Sequence, residues 1–206
     1  MADKSTSERL IKAAIDIFSS KGYSGTGVDE IAGAIGLKGP NIYKYFNGKN
    51  GLLEEIVRLA NEEYNLEMNN AFKAVANISD GKSLKEFTFN FIDRLMTNEL
   101  SVKLRKLFTI EQFRGKEFAV QATKFQINIL MEVFIPIFGK LIDHGRMIKG
   151  RPEIYAIEYS SPLSVLIQMC DREPQRKEEL IKMMEDHMDF FVESFFVKRS
   201  FFEKNS

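Results

Sequence analysis

Apolar residues recur at three- and four-residue spacing from one end of the chain to the other, and period-2 runs bounded by hairpin turns do not occur. The pattern predicts an all-α protein. Leu10, Ile11, Ala14, Ile17 and Phe18 form a one-faced stripe on a helix over 7–21, stopped by Gly22. Gly25, Thr26 and Gly27 make the next break, and a short helix follows from Val28 to Ile35, closed by Gly36. Pro40 suits the first turn of another helix ending near Phe46. Leu53, Ile56, Val57, Ala60, Tyr64, Met68, Ala71, Phe72 and Val75 then sustain the spacing over one long helix, 49–76. Further helices are expected over 83–97, 100–113, 116–143, 152–170 and 174–198, with breaks at Gly115, at Gly145, Gly150 and Pro152, and at Asp171 with Pro174. Pro136 inside the 116–143 pattern predicts a kink near Ile135.

Composition narrows the class. The chain has 206 residues, 44% of them hydrophobic, which is enough for a real core and argues against disorder. Formal net charge is zero, so any anionic partner must be met by local charge. Residues 1–50 carry +2 and the remainder −2, a small asymmetry that places the positive charge in the N-terminal quarter. The single cysteine, Cys170, allows no internal disulfide and fits a reducing cytoplasm. The polar N-terminus lacks a signal region, and no run of about 18 apolar residues is seen, so no membrane span is expected.

Residues 26–52 concentrate the candidate chemistry. Ile31 to Leu53 contains no Asp or Glu yet carries Lys38, Lys44 and Lys49. Gly36 permits a sharp turn between two helices, Ile31, Ala32 and Ile35 are spaced for burial, and Ile42 and Phe46 suit the core face of the second helix. Asn41, Tyr43, Lys44 and Tyr45 cover much of the remainder. Asn reads adenine bidentately, Lys reaches guanine or phosphate, and Tyr hydroxyls bind phosphate oxygens. A compact helix–turn–helix of this kind suits an anionic duplex.

Gly22-Tyr23, Thr26, Ile31-Ala32, Gly36-Leu37, Ile42-Tyr43-Lys44-Tyr45-Phe46, Lys49 and Leu52, after Ala13-Ala14-Ile15-Asp16-Ile17-Phe18, resemble the TetR-family repressor pattern over about residues 8–53. The resemblance implies a DNA-reading domain over 1–48 and a helical ligand-binding and dimerisation domain over 49–206. It implies phosphate contacts at Thr26, Tyr43 and Lys49, and groove-facing positions at Lys38, Gly39, Asn41 and Lys44. Two positions depart from the family. Lys38 replaces the usual Ser or Thr cap, leaving Gly39 to cap and Pro40 to open the helix, and Gly27 stands where a hydroxyl residue is frequent. Plain alternatives exist: Tyr43 and Tyr45 as packing residues, Lys44 as a solvated lysine, Thr26 as a cap.

The remaining helices carry no comparable motif. Phe87, Phe91, Met96, Phe108, Phe113, Phe118, Phe125, Met131 and Phe134 are bulky, adaptable residues able to line an apolar cavity, or simply to fill a core. Helix 152–170, with Ile154, Tyr155, Ile157, Tyr159, Leu163, Leu166, Ile167 and Met169, carries excess apolar surface. So does helix 174–198, with Leu180, Met184, His187, Met188, Phe191 and Phe195 on one stripe, widened by Ile181, Met183, Phe190 and Val197. One stripe suffices for a surface helix, so the pair is expected to form a dimer interface, with a buried monomer core as the alternative. His144 and His187 are far apart, Cys170 has no partner at metal-ligand spacing, and Glu111 and Glu117 read as solvated. No cofactor, metal or catalytic pair is expected. The leading expectation is a homodimeric repressor of a palindromic operator, released by a small apolar or amphipathic ligand. A regulator of the same fold without an inducer stands second, and a helical enzyme or carrier third.

Overall fold

The computed structural model describes residues 5–197. Ser5 opens the first helix, α1 (Thr6–Lys21), through a capping box: its hydroxyl accepts from the Glu8 N–H while Glu8 accepts from the Ser5 N–H. Gly22, at φ +80°, takes the chain out of α1. Helix α2 (Val28–Gly33) is shorter than the expected 28–35, because the chain tightens into 3₁₀-type bonds before Gly36 turns it at φ +79°. The reader that follows, Gly39–Lys44, is a 3₁₀ helix. Lys38, not Gly39, takes its cap position, without a side-chain bond, and Gly39 rather than Pro40 is its first residue. A six-residue segment with proline in its first turn gains little from α-type cooperativity.

Helix α3 (Gly48–Val75) buries Leu53, Ile56, Ala60, Tyr64, Met68 and Ala71, as the spacing predicts, and Leu52 besides, whereas Val57 and Val75 are half-buried and Phe72 is exposed. Then come α4 (Gly81–Thr97), α5 (Glu99–Glu111), α6 (Lys116–Thr123), a π turn (Lys124–Asn128), α7 (Ile129–Asp143), α8 (Pro152–Arg172) and α9 (Lys177–Phe195). Pro136 lies inside α7, but the recorded departure from α geometry is upstream at 124–128. The 174–198 expectation resolves into a 3₁₀ turn and α9; residue 198 lies outside the described residues.

Two compact units divide the described residues. Among the described residues, one holds 5–67 with Thr97–Phe125; the other holds Met68–Met96 with 126–197. In the first, Phe18, Tyr23 and Phe118 pack ring to ring, and Phe125 touches both Tyr64 and Phe108. In the second, Phe134, Phe138, Tyr155, Tyr159 and Phe191 form one aromatic cluster. Lys116–Asp143 is long and apolar enough to cross a membrane by length and composition alone, which corrects the expectation that no such stretch exists. Its Ile129, Leu130, Val133, Phe134, Ile137 and Phe138 are buried in the second unit, a sufficient reason for an apolar helix.

Candidate nucleic-acid interface

Residues 22–50 assemble around a loop rather than around the reader alone. The loop between α1 and α2 begins at Gly22. The Thr26 hydroxyl donates to the Gly22 carbonyl at 2.8 Å, and Thr26 is only 3% exposed. Lys49, at the start of α3, donates to the Tyr23 carbonyl at 2.9 Å and the Thr26 carbonyl at 2.8 Å, with its ammonium 4.3 Å from the centre of the Tyr23 ring. The Tyr23 hydroxyl bonds to Asn50. Burial, with Glu111 and Glu117 adding to it, pushes the Tyr23 phenol up, so it is a neutral donor. Arg9 of α1 donates to the Ile35 carbonyl at 3.0 Å, bracing the turn from the other side.

On this base the reader presents a polar face. Lys38, Tyr43, Lys44 and Tyr45 are exposed, Tyr43 at 64%, while Asn41 is half-buried and Ile42 is buried beneath them. The Tyr43 ring rests over Gly48, where an added Cβ would come 3.2 Å from its Cε1. Two lysines, two phenols and an amide on one short segment free of carboxylates can bind phosphate oxygens and base edges.

Similarity to known proteins agrees with this geometry. Residues 10–56 match the family model described as bacterial regulatory proteins, tetR family. A Bacillus subtilis (strain 168) protein named "Probable HTH-type transcriptional regulator YttP" is 24% identical over 196 residues, 93% of this chain and 89% of that protein. IcaR of Staphylococcus aureus (strain Newman), a negative transcriptional regulator of the biofilm operon icaADBC, is 30% identical over 109 residues, 52% of this chain and 57% of IcaR. SmeT, the repressor of the Stenotrophomonas maltophilia multidrug efflux pump SmeDEF, shares the fold at TM-score 0.67 and 16% identity, over 98% of this chain and 96% of SmeT. SmeT in complex with triclosan matches at TM-score 0.67 and 17% identity, over 95% and 94%.

Residues 10–56 are the N-terminal DNA-binding domain described for the tetR family, and the chain as a whole shares the fold of TetR-family regulators. It is a transcriptional regulator with a DNA-binding helix–turn–helix, and its relatives are named as regulators, not enzymes.

Three of the expected TetR contact residues have other work. Thr26 is buried and its hydroxyl is committed, so it builds the loop instead of offering itself to phosphate. Lys49 is half-buried and clamps two carbonyls. Gly39 is buried against α2, where an added Cβ would fall 1.8 Å from the Asp29 carboxylate, so it packs rather than reads.

The pocket candidates divide between the units. Phe87, Phe91 and Phe134 pack ring to ring in the second unit, which also holds the half-buried Met96 and Met131. Phe108, Phe113 and Phe125 belong to the first. Phe113 is 95% exposed and lines no interior space; it lies on the solvent side of the turn after α5. A groove of about 510 Å³ between α3 and α4 includes Phe87, but its other lining is mostly polar, with Asn70, Asn77, Asn90 and Arg94.

Most of the dimer candidates lie on the inward side of their helices. Tyr155, Leu163, Leu166, Met184, Met188 and Phe191 are buried within one chain, and Phe195 is half-buried. Only Ile154 of that set is exposed; with it on the outside are Ile157 and Val165 of α8, Met183 and Phe190 of α9, and Val197 beyond.

Glu111 corrects a further expectation, being 0% exposed instead of solvated. A signal for it was present: Leu104, Leu107, Phe108 and Glu111 share helical spacing, which places the carboxylate on the buried face of α5. Ser24, Asn50 and Arg9 gave no such signal, because each acts on a backbone or side-chain group distant in sequence.

Proposed function

We propose that this regulator is a homodimeric, cytoplasmic repressor that binds a palindromic operator through residues 26–49 and is released by a small apolar or amphipathic ligand. The observation that carries the DNA reading is the carboxylate-free face on which Lys38, Tyr43, Lys44 and Tyr45 are exposed beside the half-buried Asn41. In functional terms residues 1–48 read DNA, and 49–206 take the ligand and pair the subunits. Pairing is supported by the outward apolar positions Ile154, Ile157 and Val165 on α8 and Met183 and Phe190, seven residues apart on α9. Two helices from each copy would close a four-helix bundle. The readers would then meet successive major grooves about 34–36 Å apart.

Release requires a ligand with unequal affinity for the DNA-competent and released states. Helix α3 belongs to both compact units and is the natural lever. Support for a small-molecule ligand comes from SmeT, a protein of this fold solved with triclosan. The ring-to-ring packing of the aromatic pocket candidates favours a second reading, a regulator controlled by a protein partner or acting constitutively.

The test is duplex binding across a salt series. Affinity should fall steeply with salt, and Lys44→Ala should reduce the slope of log affinity against log salt by roughly one unit. Salt-independent binding would sink the DNA assignment. Thermal-shift hits that leave DNA affinity unchanged would move the second reading ahead.

A further inference from the structure

A buried carboxylate outside the reading segment holds the loop on which that segment rests. Glu111, the last residue of α5, is 0% exposed. It accepts from the Ser24 N–H at 3.2 Å and from the Ser24 hydroxyl at 2.9 Å, and the Arg114 guanidinium lies 3.3 Å away. A carboxylate removed from water is costly unless donors fill its oxygens. Two of these three donors come from a loop residue 87 positions earlier in the chain.

The backbone is built for this seat. A Cβ on Gly22 would fall 2.4 Å from Glu111 Oε1 and 2.8 Å from Ile110 Cγ2, and Gly22 stands at φ +80°. Both the space and the conformation demand glycine there. Beside Ser24, the Tyr23 and Thr26 carbonyls receive the Lys49 ammonium. Glu111 therefore anchors one side of the loop and Lys49 clamps the other.

We propose that Glu111 is a positioning residue for DNA recognition: by seating Ser24 it fixes the 22–26 loop and, through the Lys49 clamp, the presentation of the reader. This rests on the reading of residues 26–49 as the DNA interface. It also makes the C-terminal end of α5 a place from which that interface can be set, since a displaced Glu111 no longer meets Ser24.

The experiment measures binding of the full-length protein to a duplex that the wild type selects from a random-sequence pool. Amide exchange at Ser24 and Thr26 and thermal melting are followed in parallel. Glu111→Ala should weaken binding by roughly tenfold or more and speed exchange at Ser24. The salt slope should not change, because no phosphate contact is removed. Glu111→Gln should retain most of the affinity, since an amide can accept from the Ser24 N–H and donate to its Oγ. Ser24→Ala should cost less than Glu111→Ala and add little to it in the double variant.

Wild-type affinity in a folded Glu111→Ala protein would overturn the proposal, as would Glu111→Gln failing as badly as Glu111→Ala. Should Glu111→Ala not fold, wild-type affinity and exchange in Ser24→Ala, which alters an exposed residue, would overturn it. Lys44→Ala separates this from failure of the DNA reading. A lowered salt slope there with unaffected Glu111 variants rejects only the seat, while an unchanged slope rejects the interface itself.

Discussion

Around residues 22–26 the first compact unit is organised by single, directed polar bonds: Thr26 to Gly22, Lys49 to two carbonyls, Ser24 to Glu111. Around Tyr159 the second unit is organised by rings, with Phe134 at 4.9 Å, Phe138 at 5.5 Å and Phe191 at 4.6 Å between centroids. The buried Tyr159 hydroxyl among those rings is satisfied locally by Thr88 at 2.9 Å, and burial pushes its phenol well up, so it stays neutral. Directed bonds hold one geometry and fail when an angle changes. Ring packing supplies bulk stabilisation and tolerates repacking. The first arrangement suits a surface that must match a groove; the second suits a body that must remain folded while its details shift.

The largest effect expected from breaking this contrast lies in the rings. Phe138 is fully buried and meets Phe134, Tyr155, Tyr159 and Phe191. Phe138→Ala should cost about 3–5 kcal/mol of stability, read by chemical denaturation. A loss below about 1 kcal/mol would mean the cluster is not what holds the unit.

Next comes the outer side of α9. Phe190 is 66% exposed while its neighbour Phe191 is buried. Phe190→Glu should shift a dimer toward monomer in sedimentation at micromolar concentration, at a cost of about 2 kcal/mol or more, with the chain still folded. An unchanged dimer would place the interface elsewhere.

These residues also show how far the sequence reaches. The helices and the reader's position were legible because they depend on local spacing: Ile31, Ala32, Gly36 and Ile42 fall where the turn needs them. The doubled apolar surface of α8 and α9 was legible too. Which half faces inward was not, since a 3.6-residue period marks faces but not the neighbour each one meets. Phe113 looked like core and is solvent-facing, and Glu111 looked solvated and is buried. Both outcomes are set by contacts remote in sequence. Thr26, Gly39 and Lys49 sit on family contact positions, yet loop bonds and the close approach of Asp29 decide what their atoms can do.

Lys49 gives the smallest and sharpest test of the contrast. If it were a phosphate contact, removing its charge would lower the salt slope by about one unit, as at Lys44. If it is a clamp, Lys49→Met keeps the stem and deletes the donors to Tyr23 and Thr26 together with the ammonium's contact on the Tyr23 ring. Two half-buried carbonyls then lose their partner, at a cost of about 1–2 kcal/mol. We expect a lower melting temperature, faster amide exchange across 22–26 and weaker DNA binding, all with the wild-type salt slope. A slope reduced by a full unit with melting unchanged would return Lys49 to the DNA backbone and shrink the polar frame to the Ser24–Glu111 seat.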